Sequence, residues 1–461
     1  MRYQTATQWG VYEVEVDHGQ IQAVHGIDLD PFPAAIAQTL VDGVQHKQRI
    51  ARPSIRKGWL KNRDKAARGT DEFVDVPWDE ALDIAAQELE RVIGEHGNTS
   101  IFAGSYGWAS AGRFHHAQSQ LHKFINLIGG STRAMNTYST AAAQVILPHV
   151  VAPWHQMELE QTTWEEIAEH AQLVVAFGGL PLRNTQVAYG GITEHQSPVG
   201  LQHAVKAGVE FVSVSPVRAD MPDWVQADWL ACRPGTDVAL MLGVAHELEQ
   251  AGLVDESFLI SHCVGYERFR GYLLGKTDGI AKTPQWAAAI CDISADSIVG
   301  LARRMAGNRT FVTAAWSLQR ADHGEQPYWM LVTLAAMLGQ IGRPGCGFGF
   351  GYGAEGHVGS SWRRFNWATF SKGRNPTQFA IPVARIADML RNPGASIPYD
   401  GREITFPDIQ LIYWAGGNPF HHHQDLNRLV RAWRKPATVI VNEPWWTPTA
   451  QWADIVFPAT T

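Results

Sequence analysis

The 461-residue sequence contains only four cysteines, Cys232, Cys263, Cys291 and Cys346. None are close enough to form a CxxC pair, so the usual spacings of zinc and iron–sulfur ligands are absent and no iron–sulfur cluster is expected. Reduced, mostly buried thiols are the expectation. No apolar stretch approaches the roughly 18–20 residues that a membrane-spanning helix needs, so no membrane association is expected. Basic runs are lacking too, and the formal net charge is −7, which argues against nucleic acid as a partner. The opening Met1-Arg2-Tyr3-Gln4-Thr5 has neither a basic stretch followed by an apolar one nor a twin arginine. The expectation is a cytoplasmic chain, or a periplasmic one if a leader has been removed. No G-x-G-x-x-G follows a run that reads as a strand, and no P-loop is present, so nicotinamide, flavin and nucleoside-triphosphatase readings lose their main support. Repeats and low-complexity segments are absent.

What is there is a globular composition, with 45% hydrophobic and 18% charged residues, at a length that calls for two or three domains. Eighteen tryptophans are many. Most are expected in cores, and those beside glycine-rich loops are candidates to line a pocket. Leu82, Ala85, Leu89 and Val92 recur at helical spacing from Trp78 to Gly94. Asp79 and Glu80 suit the first turn of that helix, and Gly94 and Gly97 close it.

Short apolar runs at Ser100–Ala103, Leu173–Phe177, Phe211–Val214, Phe311–Ala315, Ile409–Trp414 and Thr438–Val441 read as buried strands, with Ile455–Phe457 as a further one. Each passes into a segment of Gly, Asn, Ser, Arg, Pro or Trp, such as Gly178 to Asn184 or Trp316 to Arg320. Such alternation of strand, loop and amphipathic stretch is that of an α/β protein. Ligands of open α/β sheets bind beyond the carboxyl ends of the strands. Glycine lets backbone approach a ligand, and Arg pairs with phosphate. So many ends of this kind point to an elongated, phosphate-bearing ligand, although the same residues also make good turns. The glycine-rich Gly345 to Gly351 segment reads as a flexible loop.

Ser105-Tyr106-Gly107-Trp108, Tyr138-Ser139-Thr140-Ala141-Ala142-Ala143-Gln144 and the Gly235 to Gly243 stretch resemble the molybdopterin S- and N-oxide reductases of the dimethyl sulfoxide reductase family. So do Trp316-Ser317-Leu318-Gln319-Arg320, His323 to Gln326, Met337 to Gly342 and Trp414 to Phe420. The stretches keep the family order from about residue 50 onward, and within the family they most resemble the biotin sulfoxide reductases.

The resemblance implies a molybdenum bis(molybdopterin guanine dinucleotide) cofactor, a small S-oxide or N-oxide substrate and an external electron donor. It implies Ser139 as the protein ligand to the metal, an oxygen donor suited to a high-valent ion. On the residue alone, Ser139 also fits a helix cap. Tyr106 and Trp108 match aromatic residues over the metal, where a phenol can help deliver a proton. Ser110, Arg183, Asn184, Trp316, Ser317, Arg320, His323, Asn418, His422 and Asn442 match cofactor contacts. Ser215, Arg218 and Asp237 match the region that holds a guanine dinucleotide. Adjacent His421, His422 and His423 are poorly placed to share one ion.

The resemblance implies a multi-domain molybdopterin oxidoreductase fold. Its expected parts are a small segment over 1–50, a discontinuous α/β cofactor domain over 51–140 plus 329–461, and a dinucleotide-binding-like parallel-sheet domain over 141–328. Relatives continue past the Ala453 to Thr461 stretch with a further domain that holds part of the second pterin. The expectation is that this C-terminal domain is absent here, with two alternatives beside an S-oxide reductase: a truncated gene product, or one subunit that is inactive without a partner carrying the missing part.

Overall fold

A computed structural model describes residues 1–104, 116–362 and 368–461. The first strands, Arg2–Thr7, Gly10–Asp17 and Gln20–Gly26, form an antiparallel three-stranded sheet. Tyr12, Val14 and Val24 alternate inward to a small core of their own, as period-two patterning requires.

Two larger sheets organise the rest. The first has five parallel strands in the order Asp228–Leu230, Glu210–Val214, Leu173–Phe177, Thr310–Ala314 and Gly347–Phe350. Every residue of Leu173–Phe177 and of Thr310–Ala314 is buried. Helices cover both faces of such a sheet, so its strands carry unbroken apolar runs. On one face lie the helices Ala141–Val150, Asp237–Gln250, Pro284–Cys291, Ala295–Gly307 and Gln326–Met337. Trp164–His170 and Gln196–Lys206 cover the other.

The second sheet has six strands in the order Phe73–Asp75, Ser54–Arg56, Ile455–Pro458, Thr438–Glu443, Leu411–Ala415 and Ile101–Gly104. The last four of these are mutually parallel, while Ser54–Arg56 and Phe73–Asp75 join antiparallel. Two cores flank it. The helix expected from Trp78 runs over Trp78–His96 and ends at Gly97, whose φ is +75°. A fully buried charge cluster ties the sheet's distant segments. Asp454 accepts from Arg56 at 2.8 Å and from the Arg68 Nε at 3.1 Å, and from the Val439 amide at 2.9 Å.

Three sequence expectations need correcting. The segment Gly345 to Gly351 is not a flexible loop, because Gly347–Phe350 pairs in register with Thr310–Ala314. Glycines are used there for close packing: a Cβ on Gly349 would meet Phe311 at 2.7 Å. A G-x-G-x-x-G therefore does follow a strand, at Gly351-Tyr352-Gly353-Ala354-Glu355-Gly356, although turns rather than a helix come after it. The five-stranded layer also reaches Phe350, beyond the expected boundary at 328, because Gln326–Met337 packs into its core.

Candidate active site

The chain order of the five-stranded sheet reverses between Leu173–Phe177 and its neighbour Thr310–Ala314. Strands after the first run outward on one side, and the chain then returns to the other side. A crevice opens beyond the carboxyl ends at such a switch point. Here it is a cavity of about 360 Å³. Pro181, Arg183 and Asn184 come from the loop after Leu173–Phe177, and Ala315, Trp316, Ser317 and Arg320 from the loop after Thr310–Ala314. Gly353, Ala354 and Glu355 follow Gly347–Phe350, and Ser139 completes the wall.

Ser139 sits in the turn before the helix Ala141–Val150 but does not cap it. The N-cap position is Thr140, and no side chain makes a capping bond. Among the described residues the Ser139 hydroxyl has no partner, while its carbonyl is held. Gln319 Nε2 donates to the carbonyls of Ser139 and, at 3.2 Å, of Tyr138. The Gln319 Oε1 accepts from the Ala142 amide at 2.9 Å. Arg320 Nε reaches the Tyr138 carbonyl at 3.4 Å. The Tyr138 hydroxyl pairs with His423 Nδ1 and reaches the Val383 carbonyl at 3.2 Å. Ser139 is thus fixed through its backbone from both sheets, and its hydroxyl is left free for the cavity. Gln319 was quoted in the sequence motif without a role. Its fork shape, one donor end and one acceptor end, is what such a clamp uses.

Ser139, Arg183, Asn184, Trp316, Ser317 and Arg320 therefore converge on one cavity. The guanine-dinucleotide candidates lie at neighbouring strand ends. Ser215 Oγ donates to Asp220 Oδ2 at 2.7 Å, and Arg183 pairs with the other oxygen of Asp220. Asp220, which sequence reasoning missed, therefore joins the two loops. The exposed Arg218 lies over the Trp229 ring at 5.8 Å. Asp237 opens the helix Asp237–Gln250, and burial pushes its carboxyl up to about 6.

At the ends of the six-stranded sheet, Asn418 Oδ1 accepts from Thr449 Oγ1 at 2.6 Å. Asn442 ends near Tyr413 with its Oδ1 buried and unpartnered. Burial, then the nearby His421 and Arg320, lower the proton affinity of His422. The structure places His323 away from the cavity: its side chain is 77% exposed and its φ is +54°. Tyr106, Trp108 and Ser110 lie outside the described residues. Among the described residues no group of three or more His, Cys, Asp or Glu side chains is arranged to hold a metal, and no helix is long and apolar enough to cross a membrane.

Buried polar atoms without partners mark where a ligand is needed. Trp316 Nε1, Glu355 Oε2 and Asn442 Oδ1 are three such atoms. On the cavity itself, Trp316 and Glu355 with the free Ser139 hydroxyl and the guanidinium groups of Arg183 and Arg320 form a donor and acceptor set that fits a ligand with phosphate and a polar heterocycle.

Residues 49–461 match the family model described as molybdopterin oxidoreductase. The chain belongs to that family. Membership in the molybdopterin oxidoreductases carries with it a molybdenum–molybdopterin cofactor, and the donor set above fits one. The chain is 46% identical to a biotin sulfoxide reductase of Cereibacter sphaeroides, over 94% of this chain and 58% of the relative. It is 44% identical to a trimethylamine-N-oxide reductase of Haemophilus influenzae, over 99% of this chain and 57% of the relative. A dimethyl sulfoxide/trimethylamine N-oxide reductase of Cereibacter sphaeroides is 41% identical, over 98% and 56% respectively. The chain thus spans less than two thirds of the length of these relatives. Among solved structures, acetylene hydratase from Pelobacter acetylenicus matches with a TM-score of 0.64 at 18% identity, over 99% of this chain and 63% of that one. At that identity the likeness speaks to the fold of this molybdopterin oxidoreductase alone.

Proposed function

We propose that this chain carries the metal-ligand half of a molybdenum-dependent reductase that takes oxygen from an S-oxide of the biotin, methionine or dimethyl sulfoxide type. The observation that carries the reading is the free hydroxyl of Ser139 on a cavity at the switch point of a parallel sheet, its turn held by Gln319 and Arg320 through the Ser139 and Tyr138 carbonyls. Ser139 is the proposed ligand to molybdenum. Arg183, Asn184, Trp316, Ser317 and Arg320 would hold the pterin and phosphate parts of the cofactor. Ser215, Arg218 and Asp237 would hold a guanine dinucleotide, and Asn418, His422 and Asn442 would face the cofactor from the six-stranded sheet. Two such dinucleotides are the proposed form. The length of the relatives that this chain does not span is proposed to complete the site, as a further segment or a partner subunit.

The metal centre, when bound, supplies the two-electron chemistry, with electrons from an external donor. The chain's own part is to orient the cofactor, to exclude water and to supply protons. N-oxide reduction is the second reading, favoured by the relatives with that substrate in their names. The test is turnover of dimethyl sulfoxide and trimethylamine N-oxide with reduced methyl viologen, beside molybdenum analysis. Ser139→Ala is expected to abolish turnover while thermal unfolding stays unchanged. Undiminished turnover in that variant would refute the assignment.

A further inference from the structure

The loop after Gly347–Phe350 carries a carboxylate into the cavity, and its backbone has no freedom to do otherwise. A Cβ on Gly353 would meet the Leu180 Cα at 2.6 Å, and one on Gly356 would collide with Ile192 and with the Thr185 carbonyl. The Gly356 amide donates to the Val187 carbonyl at 2.8 Å, and its carbonyl accepts from Ser197 Oγ at 3.3 Å. Between these glycines Glu355 lines the cavity at only 4% exposure.

Behind it stands His357. The Glu355 Oε2 lies 2.9 Å from His357 Nδ1, off the line of a hydrogen bond. Among the described residues neither ring nitrogen of His357 has a hydrogen-bond partner, and the ring packs edge-on against Tyr189 at 5.3 Å. The His357 side chain keeps 10% exposure, although both ring nitrogens are buried. As scaffolding this pair is costly, because buried ionisable groups without full hydrogen bonding destabilise more than they hold. A carboxylate on the cavity, backed by an imidazole whose ring edge lies close to the surface, is instead what proton delivery requires. Among the described residues the other charged groups on the cavity are Arg183 and Arg320, which are cations without a transferable proton near neutrality.

We propose that Glu355 and His357 form a proton-delivery pair for the Ser139 cavity, with His357 passing protons inward and Glu355 presenting them there. The proposal rests on the oxide-reductase reading. In that reaction R2S=O takes up two protons and two electrons to give R2S and water. The sulfur–oxygen bond breaks, sulfur is reduced, the external donor gives the electrons, and the oxygen leaves as water. Glu355 supplies protons to the departing oxygen and is recharged from His357, whose ring reaches solvent by rotation of its partly exposed edge.

The test uses the molybdenum-loaded protein and the variants Glu355→Gln, Glu355→Asp and His357→Gln. Turnover of dimethyl sulfoxide with reduced methyl viologen is expected to fall about 100-fold in kcat for Glu355→Gln, the scale of general acid catalysis. KM stays within about two-fold, molybdenum content is unchanged, and Glu355→Asp recovers much of the loss. Nitrogen NMR of the histidines gives a readout free of turnover. His357 is expected to carry its hydrogen on Nδ1, facing Glu355, and its nitrogen resonances are expected to shift when the neighbouring carboxylate becomes a neutral amide in Glu355→Gln. Wild-type kcat in both Glu355→Gln and His357→Gln, at equal metal content, overturns the proposal. A His357 signal indifferent to Glu355→Gln overturns the pair whatever the turnover. Metal-loaded wild type that reduces neither oxide overturns the reductase reading instead, and the NMR result then stands apart from it.

Discussion

Replacing Gln319 removes the clamp on the Ser139 turn without touching Ser139. The side chain makes three hydrogen bonds across about 180 residues of sequence, to the carbonyls of Tyr138 and Ser139 and from the Ala142 amide. Each such bond is worth about 0.5–1.5 kcal/mol net. All are part-buried, so water repays some of the loss, and Gln319→Ala is expected to cost about 1.5–3 kcal/mol. Most of that cost falls on the turn. Hydrogen exchange of the Ala142 amide should therefore accelerate more than exchange in the buried strand Leu173–Phe177. Gln319→Glu is more telling. A carboxylate cannot donate to the two carbonyls, so at neutral pH it repels them. Once protonated it donates again. Its folded-state pKa is thus raised above the unfolded value, and stability is lost as pH rises from the unfolded pKa through the folded one. The variant should approach wild type near pH 4 and fall behind it at pH 7, by urea unfolding at both values. If Gln319→Ala leaves Ala142 exchange and the urea midpoint at wild-type values, the clamp has no energetic meaning and the Ser139 geometry is not held this way.

Asp454→Asn leaves the buried Arg56 and Arg68 without their shared counter-charge. It should cost about 3–5 kcal/mol in urea unfolding, the scale for breaking a buried pair; a loss below about 1 kcal/mol would count against the cluster. Asp237, whose carboxyl burial pushes up to about 6, penalises the folded state as pH rises from its unfolded pKa through that value. Asp237→Asn should therefore raise Tm above pH 6 and leave it unchanged below pH 4, measured on cofactor-free protein; equal Tm at all pH values would refute the burial argument. Gly353→Ala forces a Cβ against Leu180 from a φ of +76°. It should lower Tm by a few degrees and reduce molybdenum content together, checked by calorimetry and metal analysis.

The strands were legible because burial on both faces writes an unbroken apolar run, as in Leu173–Phe177, where expectation and structure share both ends. Gly347–Phe350 was not, because Gly-Phe-Gly-Phe lacks the β-branched signature, and only the packing against Phe311 explains its glycines. The loop residues that meet at the cavity were legible as types, since Arg, Asn, Ser and Trp after a strand suit a phosphate-bearing ligand. Their convergence was not, because it depends on which strands are neighbours. Glu355 was invisible for the same reason: a single acidic residue between glycines looks like a solvated turn until the fold buries it. His323 went the other way: Trp316, Ser317 and Arg320 before it line the cavity, while His323 itself is exposed on a left-handed backbone.

The switch point also dictates an order of assembly. The walls of the cavity come from turns near residues 139, 181, 316 and 354, and the last of these is placed only when Gly347–Phe350 docks on Thr310–Ala314. Contacts that far apart along a chain form late, since the loops between them must first be closed. A partly folded chain thus has no pocket to offer. A ligand that needs all four walls is therefore expected to enter only once the five-stranded sheet is complete.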